Sequence, residues 1–352
     1  MGFKTLFSAL LLVVTTQISA VQAAVILQYH HVSETSPAVT SVSPAQFAEQ
    51  MQYLAEQQFH VVPLADVIES IRQKRSLPAK TVAITFDDGY RSIAENAAPI
   101  LQKYGFPYTL FVAIEPIEKG FGEMMDWPQL QQLAQHGATI ANHSWAHDHL
   151  IRRENHETEQ QWLARIKANL ERTEAAIKQH TGQSVKTLAY PYGEYNSALQ
   201  QLLTQMGYVA LGQQSGAAGE YSSLTAIPRF PVAGAYANME TLKIKLMSLN
   251  MPVVAQTPEN PQLTATQNRP ELRVSLKLDD IQKSQFACFI QGQGKQLPTW
   301  VDDHTFVIRA EKPLPAGRSR YNCTAPSKSQ SGYYWFSQAW VRPLNDGSWL
   351  KE

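Results

Sequence analysis

The chain has 352 residues, and its 30 basic and 30 acidic side chains give a formal net charge of zero. Hydrophobic residues make up 44% of it, and only two residues are cysteines. This length allows two domains with buried cores, and the composition excludes collagen, long low-complexity disorder and a disulfide-dense mini-protein. The neutral charge gives no reason to expect a nucleic-acid partner, whose binding depends on a basic surface.

The N-terminus has the pattern of a secretory signal peptide. Lys4 precedes an apolar run from Leu6 to Val14, and Val21-Gln22-Ala23 supplies a small-x-small cleavage site. We expect cleavage after Ala23 and export to the periplasm or the cell exterior. An uncleaved anchor is the alternative, since Val25–Leu27 prolongs the hydrophobicity, although the run is short for a bilayer. No integral membrane segment is expected after cleavage.

From residue 25 to about residue 250, strand-like apolar runs alternate with helical patterns. Alternation of this kind predicts a mostly parallel sheet with helices outside it. We therefore expect an α/β fold, a distorted or incomplete (β/α) barrel, with catalytic residues where strands end. The expected strands are Val25–Tyr29, Thr81–Phe86, Tyr108–Ala113, Ala138–Ala141, Thr187–Tyr190 and Tyr208–Leu211. One helix is expected to begin at Pro44, after a Ser43 cap. The other expected helices cover Arg91–Tyr104, Pro128–Gln135, Glu157–His180 and Asn196–Met206.

The pattern changes after residue 250. Residues 251–270 carry four prolines and no apolar periodicity, which predicts a linker between a catalytic domain over 24–250 and a β-rich domain over 271–352. Whether the many aromatic residues of the second domain bind sugar or only form its core stays open. Its strands are expected at Leu272–Leu278, Phe286–Gln291, Thr305–Arg309 and Tyr333–Val341, which suits a small all-β sandwich.

The two cysteines, Cys288 and Cys323, both lie in this second domain. Export would place them in an oxidising compartment, where a disulfide between them is favoured. Two reduced, buried cysteines are the alternative. Two cysteines alone cannot furnish a four-ligand zinc site, so we do not interpret them as metal ligands.

Two neighbouring carboxylates follow the predicted strand that ends at Phe86. In the segment Thr85–Gly89, Asp87 and Asp88 would point in different directions. One could then hold a metal ion while the other transfers a proton. An ordinary Asp-Asp-Gly turn is the alternative interpretation of this short segment.

Two further polar segments follow the next predicted strands. His143 and His147 are spaced i and i+4, which would place both imidazoles on one face of a helix, as in many zinc proteins. We leave the nearby His149 out of the site. Tyr190-Pro191-Tyr192-Gly193 forms a turn whose backbone N–H groups could stabilise an oxyanion. Each segment alone could equally be an ordinary turn or surface histidines.

The three segments together, in this order, resemble the polysaccharide deacetylase family, carbohydrate esterase family 4, over about residues 25–250. The resemblance implies that Asp87 is the general base and that Asp88 is a metal ligand. His143 and His147 match the two histidine ligands of the family. Tyr192 matches the residue whose backbone amide belongs to the oxyanion hole.

The sequence departs from the family pattern at two places. Ala189 stands where the third motif normally has an arginine that orients the base, and we expect Arg229 to reach in from a later strand instead. The late leucine-x-histidine motif, which supplies the general acid, is missing. His30, in a Y-H-x-V segment similar to one branch of the family, is the expected replacement, since strand alternation would aim His31 the other way. That branch includes periplasmic poly-N-acetylglucosamine deacetylases.

The resemblance implies a metal-dependent hydrolase that removes acetyl groups from an N-acetylated polysaccharide. Ligation by one carboxylate and two imidazoles suits Zn²⁺, with Co²⁺, Ni²⁺ or Fe²⁺ as alternatives. Because the motif arginine and the late histidine are missing, a catalytically silent relative that binds glycan or scaffolds an assembly stays open. Deacetylation of an O-acetyl ester also stays open.

Overall fold

A computed structural model describes residues 23–351 of the chain, so residues 1–22 of the expected signal peptide lie outside the described part. None of the helices within 23–351 is long and apolar enough to cross a bilayer. The helices are α1 Pro44–Glu56, α2 Leu64–Arg72, α3 Ala98–Tyr104, α4 Ile114–Glu118, α5 Trp127–Gln135, α6 Glu159–Thr181, α7 Ser197–Met206 and α8 Met239–Leu246.

Nineteen strands are distributed over the same described residues. Those of the first part are β1 Ala24–Tyr29, β2 His31–Val32, β3 Ser41–Val42, β4 His60–Val61, β5 Thr81–Phe86, β6 Thr109–Val112, β7 Thr139–Asn142, β8 Thr187–Ala189, β9 Val209–Leu211 and β10 Phe230–Pro231. Those of the second part are β11 Leu249–Asn250, β12 Val253–Thr257, β13 Glu271–Leu276, β14 Ala287–Ile290, β15 Gly294–Gln296, β16 Thr299–Trp300, β17 Thr305–Arg309, β18 Gly317–Pro326 and β19 Tyr333–Arg342.

The helix ends follow from local sequence signals. Ser43 caps α1 in a capping box with Gln46, and Thr158 caps α6 in the same way with Gln161. Gly105 adopts a left-handed conformation directly after α3, which an L-residue with a side chain rarely accepts. Residues 93–97, inside the helix expected over Arg91–Tyr104, form a π-helical turn before α3 begins.

The first part of the chain forms an eight-stranded sheet in which every pairing is parallel. The strand order is β10-β1-β5-β6-β7-β8-β9, with β4 also paired to β5. The two ends of this order nearly meet, because Ile227 exchanges hydrogen bonds with Ala210 and Gly212 at the end of β9 only three residues before β10. The sheet is consistent with the expected distorted (β/α) barrel.

Burial on both faces explains why β1 and β5 are apolar along their whole length. All six residues of each strand are buried, as expected for a parallel strand covered on both sides. Val25 and Leu27 pack in one apolar cluster with Phe47 of α1, whereas Ala24 and Ile26 pack in a second cluster formed by several strands and α2. Successive side chains along the strand therefore point alternately outward, toward the helical layer, and inward, into the barrel.

The C-terminal part is an all-β sandwich, as expected. A five-stranded sheet, β11-β19-β18-β14-β15, and a four-stranded sheet, β12-β13-β17-β16, contribute to one buried core. Cys288 of β14 and Cys323 of β18 lie opposite each other and form a disulfide. The expectation of a disulfide is thus confirmed within the described structure.

The segment expected to be a linker is partly ordered into this sandwich. Val253–Thr257 forms β12, which pairs antiparallel with β13, and the Leu263 amide donates to the carbonyl of Val341. Polar residues can occupy this edge strand because none of the five residues of β12 is buried. The two-domain division at these boundaries remains a prediction.

The sandwich packs directly on the barrel. Trp335 of β19 contacts Phe230 of β10 edge to face, with ring centroids 5.1 Å apart. Leu249 and Asn250, which follow α8, pair in parallel with Tyr334 and Trp335. One face of the five-stranded sheet therefore covers the barrel close to the strand ends.

Candidate active site

The polar residues singled out in the sequence lie at one edge of the parallel sheet. His30 follows β1, Asp87 and Asp88 follow β5, and His143 follows β7. In a parallel sheet these carboxyl ends lie on the same side, which is where barrel enzymes place their catalytic groups. Arg229 is the residue directly before β10, and its side chain reaches the same edge.

Asp87 is held in a fully buried pocket. Its carboxylate accepts two hydrogen bonds from Arg229, Nη1 to Oδ1 at 2.7 Å and Nη2 to Oδ2 at 2.8 Å. Both side chains are 0% exposed. Gln28 Nε2 donates a third hydrogen bond to Oδ2 at 2.7 Å. The hydrogen bond from Arg229 Nε to the Gly212 carbonyl, 2.9 Å long, fixes the guanidinium in turn.

These contacts determine the charge of Asp87. Burial by itself would raise the pKa of this carboxyl, but the adjacent Arg229 guanidinium and the nearby histidines more than offset that effect. The pKa of Asp87 is therefore below its ordinary value, and the group is ionised at neutral pH. Arg229 therefore contacts Asp87 directly, and its role in place of the family arginine that is missing at Ala189 stays a prediction.

Asp88, His143 and His147 form a second cluster beside this pocket. Asp88 Oδ1 lies 3.0 Å from His143 Nε2 and 3.3 Å from His147 Nε2. The three side chains can each offer one ligand atom, all within 4.8 Å of one another. His143 Nδ1 donates to the carbonyl of Ala189 at 2.7 Å, which leaves Nε2 of the neutral ring unprotonated.

The donor set fits a metal ion. Asp88 Oδ1 and His143 Nε2 are buried, and although they are close, neither makes a hydrogen bond of acceptable geometry. Buried polar atoms are nearly always paired, so two unpaired atoms facing one point indicate a missing partner. A divalent cation held by one oxygen and two nitrogens would satisfy both atoms.

The local backbone around these ligands differs from the sequence expectation. His143 and His147 were expected on one face of a helix, and this is wrong, because residues 143–147 form an irregular loop after β7. Ser144 and His147 both have positive φ angles, 67° and 56°. The Ser144 amide donates to Asn142 Oδ1, which helps to fix the turn. The loop brings the two rings together, with centroids 4.9 Å apart.

The two consecutive histidines after β1 point in different directions. His30 borders the open side of the site, and its Nε2 lies 4.0 Å from Asp87 Oδ2. His31 is buried and stacks on Tyr90, with ring centroids 3.6 Å apart. Only His30 is therefore in a position to meet a ligand beside Asp88.

Tyr192 borders the site from the turn after β8. Its φ is 59°, in the left-handed region, within the short turn Pro191–Gly193. The Tyr192 ring packs edge-on against His147 at 4.5 Å and stacks face to face on His149 at 3.7 Å. His149, left out of the site on sequence grounds, donates from Nδ1 to Glu194 Oε2 at 2.7 Å.

Sequence reasoning missed Gln28 and Glu194. Gln28 is the only polar side chain in the otherwise apolar strand β1, and it is 1% exposed. A buried amide in such a strand needs a polar partner, and this was the signal that could have identified it. Glu194 is 2% exposed and follows the Pro-Tyr-Gly turn. Nothing in its local pattern indicated burial.

Comparison with known proteins agrees with this fold. Residues 74–211 match the sequence model of the family described as polysaccharide deacetylase. A Bacillus subtilis protein named as a polysaccharide deacetylase, YxkH, is 27% identical over 209 residues, which are 59% of this chain and 71% of that protein. The poly-beta-1,6-N-acetyl-D-glucosamine N-deacetylase of Escherichia coli K12 is 24% identical over 245 residues, which cover 59% of this chain and 36% of that protein.

The solved structure of the Streptococcus pyogenes deacetylase PplD in complex with acetate superposes with a TM-score of 0.58 at 21% identity, over 64% of this chain and 99% of that one. This likeness supports the barrel fold. Between residues 74 and 211, this chain is therefore similar to the polysaccharide deacetylase family. It spans only about a third of the length of the E. coli relative.

Proposed function

We propose that this protein is a metal-dependent deacetylase that hydrolyses the acetamido group of an N-acetylated polysaccharide. The observation that carries the proposal is a pair of adjacent carboxylates in different environments. Asp88 faces two imidazoles with an unpaired oxygen, whereas Asp87 is clamped by Arg229. Such a division separates metal binding from proton transfer.

A divalent cation held by Asp88, His143 and His147 would act as a Lewis acid toward the acetyl carbonyl and lower the pKa of water toward about 7. Two nitrogen ligands and one oxygen ligand suit zinc, and they also accept cobalt, nickel or iron. Three protein ligands leave room for substrate, as a catalytic site requires.

The remaining residues would carry the proton transfers. Asp87, which Arg229 keeps ionised, would accept the proton of the attacking water. His30, on the open side of the site, would protonate the departing sugar amine. Proton transfer by one such positioned group typically contributes about 10²–10⁴-fold to the rate. The backbone amide of Tyr192 would stabilise the oxyanion.

Other observations bear on the substrate class and the compartment. Relatives named as poly-N-acetylglucosamine deacetylases favour an N-acetylglucosamine glycan. The N-terminal pattern of a signal peptide and the disulfide Cys288–Cys323 both favour an exported protein.

Two substitutions at neighbouring positions test the division of labour. Asp88→Ala should abolish metal binding, because it removes the only carboxylate ligand. Asp87→Asn should retain the metal but release acetate at least about 10²-fold more slowly, because the amide cannot accept the proton. Metal content is measured by elemental analysis and acetate release with chitooligosaccharide and poly-N-acetylglucosamine fragments, with circular dichroism as the folding control. Equal loss of metal in both variants would contradict the proposed roles, and release of acetate from no glycan by the metal-loaded wild type would contradict the activity.

A further inference from the structure

The turn after β8 has a backbone conformation that needs support from its surroundings. Tyr192 has a φ of 59° and Gly193 a φ of 70°, so two consecutive residues lie in the left-handed region. A residue with a side chain rarely adopts this region unless the surrounding structure holds it there. A Cβ atom at Gly193 would lie 2.7 Å from the Cβ atom of Gln213, so the turn is also closely packed. The orientation of the Tyr192 peptide therefore depends on the contacts of this turn.

Two side chains that pack against the Tyr192 ring are hydrogen-bonded to the same carboxylate. His149 stacks on the ring with centroids 3.7 Å apart and an angle of 4° between the planes. Arg318 of β18 places its guanidinium 5.1 Å from the centre of the ring. Glu194 Oε2 accepts from His149 Nδ1 at 2.7 Å, and Oε1 accepts from Arg318 Nη1 at 3.4 Å. Each oxygen of Glu194 thus holds one of two groups that contact Tyr192.

Glu194 lies behind the turn rather than in the cavity. Its side chain is 2% exposed, and it is not among the residues that border the cavity, whereas Tyr192 and Gly193 are. A buried carboxylate is unfavourable unless it accepts hydrogen bonds, and the donors here belong to the groups around Tyr192. Any effect of Glu194 on a bound ligand would therefore pass through the Tyr192 turn.

We propose that Glu194 is a positioning residue that, through His149 and Arg318, holds the Tyr192 peptide so that its amide meets the oxyanion. This inference rests on the proposed deacetylation and adds a residue to it. Oxyanion stabilisation requires a donor that is fixed before the charge develops. A loosened turn should therefore weaken binding of the transition state more than binding of the substrate. The affinity for metal should not change, because the three proposed ligands follow other strands, β5 and β7.

Glu194→Gln in the full-length protein tests the proposal, because the amide keeps the size of the side chain but has only one acceptor oxygen. We expect kcat for acetate release from a chitooligosaccharide to fall about 10- to 100-fold, while KM and the affinity for Zn²⁺ stay within about twofold of wild type. An analogue of the same glycan, with a methylphosphonamide in place of the acetamide, mimics the tetrahedral intermediate. It should bind to the variant more weakly by about the same factor as kcat falls, and isothermal titration calorimetry measures this without turnover.

His149→Phe tests the same link from its other end. The phenyl ring can still stack on Tyr192 but cannot donate to Glu194, so kcat and analogue affinity should fall as they do in Glu194→Gln. The double variant should lose little more than either single variant, because both changes break one link.

Glu157→Gln is the matched control. Glu157 also accepts two hydrogen bonds from an arginine, Arg165, at 2.7 and 2.8 Å. It is not among the residues that border the cavity, and it lies far along the chain from the Tyr192 turn. This variant should keep the kcat and the analogue affinity of the wild type.

The inference is overturned if Glu194→Gln and His149→Phe keep the kcat and analogue affinity of an active wild type. It is also overturned if they lose Zn²⁺, or if KM rises in proportion to the lost activity, since both results indicate a general structural role. If circular dichroism shows that Glu194→Gln does not fold, His149→Phe decides by the same criteria. A wild type that neither releases acetate nor binds the analogue would instead count against the proposed activity.

Discussion

A cavity of about 690 Å³ lies between a barrel wall with Asp88 and Tyr192 and a sandwich wall with Arg318 and Arg320, and the two walls hold their charged groups in different ways. On the barrel wall, Asp87 and Arg229 are 0% exposed and each is fixed by buried hydrogen bonds. On the sandwich wall, the Arg318 side chain is 42% exposed. Proton transfer needs groups fixed within a fraction of an ångström, which burial provides. Substitutions on the barrel wall should therefore affect chemistry and stability more than substitutions on the sandwich wall.

The largest effect is expected from removing the charge partner of Asp87. Arg229→Met would leave a buried carboxylate with only Gln28 as a donor, which typically costs about 3–5 kcal/mol of unfolding free energy. Loss of the guanidinium also removes the main influence that lowers the pKa of Asp87, so burial should raise it. Chemical denaturation measures the first effect, and the pH dependence of acetate release measures the second.

Arg72→Met is the matched control, because Arg72 forms an exposed ion pair with Glu69 on α2. Such pairs typically contribute about 0–1 kcal/mol. Adding Asp87→Asn to Arg229→Met should restore part of the lost stability, since no unpaired charge remains. If Arg229→Met and Arg72→Met destabilise the protein equally, the buried pair does not have the role assigned to it.

Much of this barrel wall could be predicted from sequence, because its signals are local. Asp87 and Asp88 directly follow an apolar strand, and the capping box at Ser43 marks the start of α1. We could name Arg229 as a replacement only because this chain has Ala189 at the position where the family motif has an arginine. Its bidentate contact with Asp87 forms only because the fold brings together two strands that are more than 140 residues apart in the chain. No local pattern encodes such a contact.

Other features could not be predicted for identifiable reasons. The i, i+4 spacing of His143 and His147 suggested a helix, but positive φ angles at Ser144 and His147 form a loop instead. Strand β18 was not expected, because polar residues alternate along it and it contains Gly317 and Pro326. Its polar face packs toward the barrel, so its pattern reflects a contact between the sandwich and the barrel that no local sequence pattern reveals.

Removal of the disulfide should have an intermediate effect, confined to the sandwich wall. The bond Cys288–Cys323 closes a loop of 35 residues, for which loss of the cross-link typically lowers the unfolding free energy by about 3–4 kcal/mol. Replacing both cysteines by alanine should therefore lower the denaturant midpoint. Metal content should stay that of the wild type, because all three proposed ligands belong to the barrel. Loss of metal from the folded double variant would show that the two walls are not independent.

The smallest effect concerns the pH dependence of stability at Lys245. Because burial lowers the folded-state pKa of Lys245 to about 8, the unfolded chain retains this proton up to about pH 10.4 while the folded chain loses it above pH 8. The unfolded state then binds more protons within this window, so stability should rise with pH, by about 1 kcal/mol between pH 7 and pH 9. Below pH 7 both states are protonated and this contribution is constant.

Lys245→Met should lack the rise, whereas Lys243→Met, at an exposed position of the same helix, should retain it. The difference in unfolding free energy between each variant and the wild type, measured by chemical denaturation at both pH values, isolates this group from the other titrating residues. A difference for Lys245→Met that does not change with pH would mean that this ammonium is not desolvated beside Arg320.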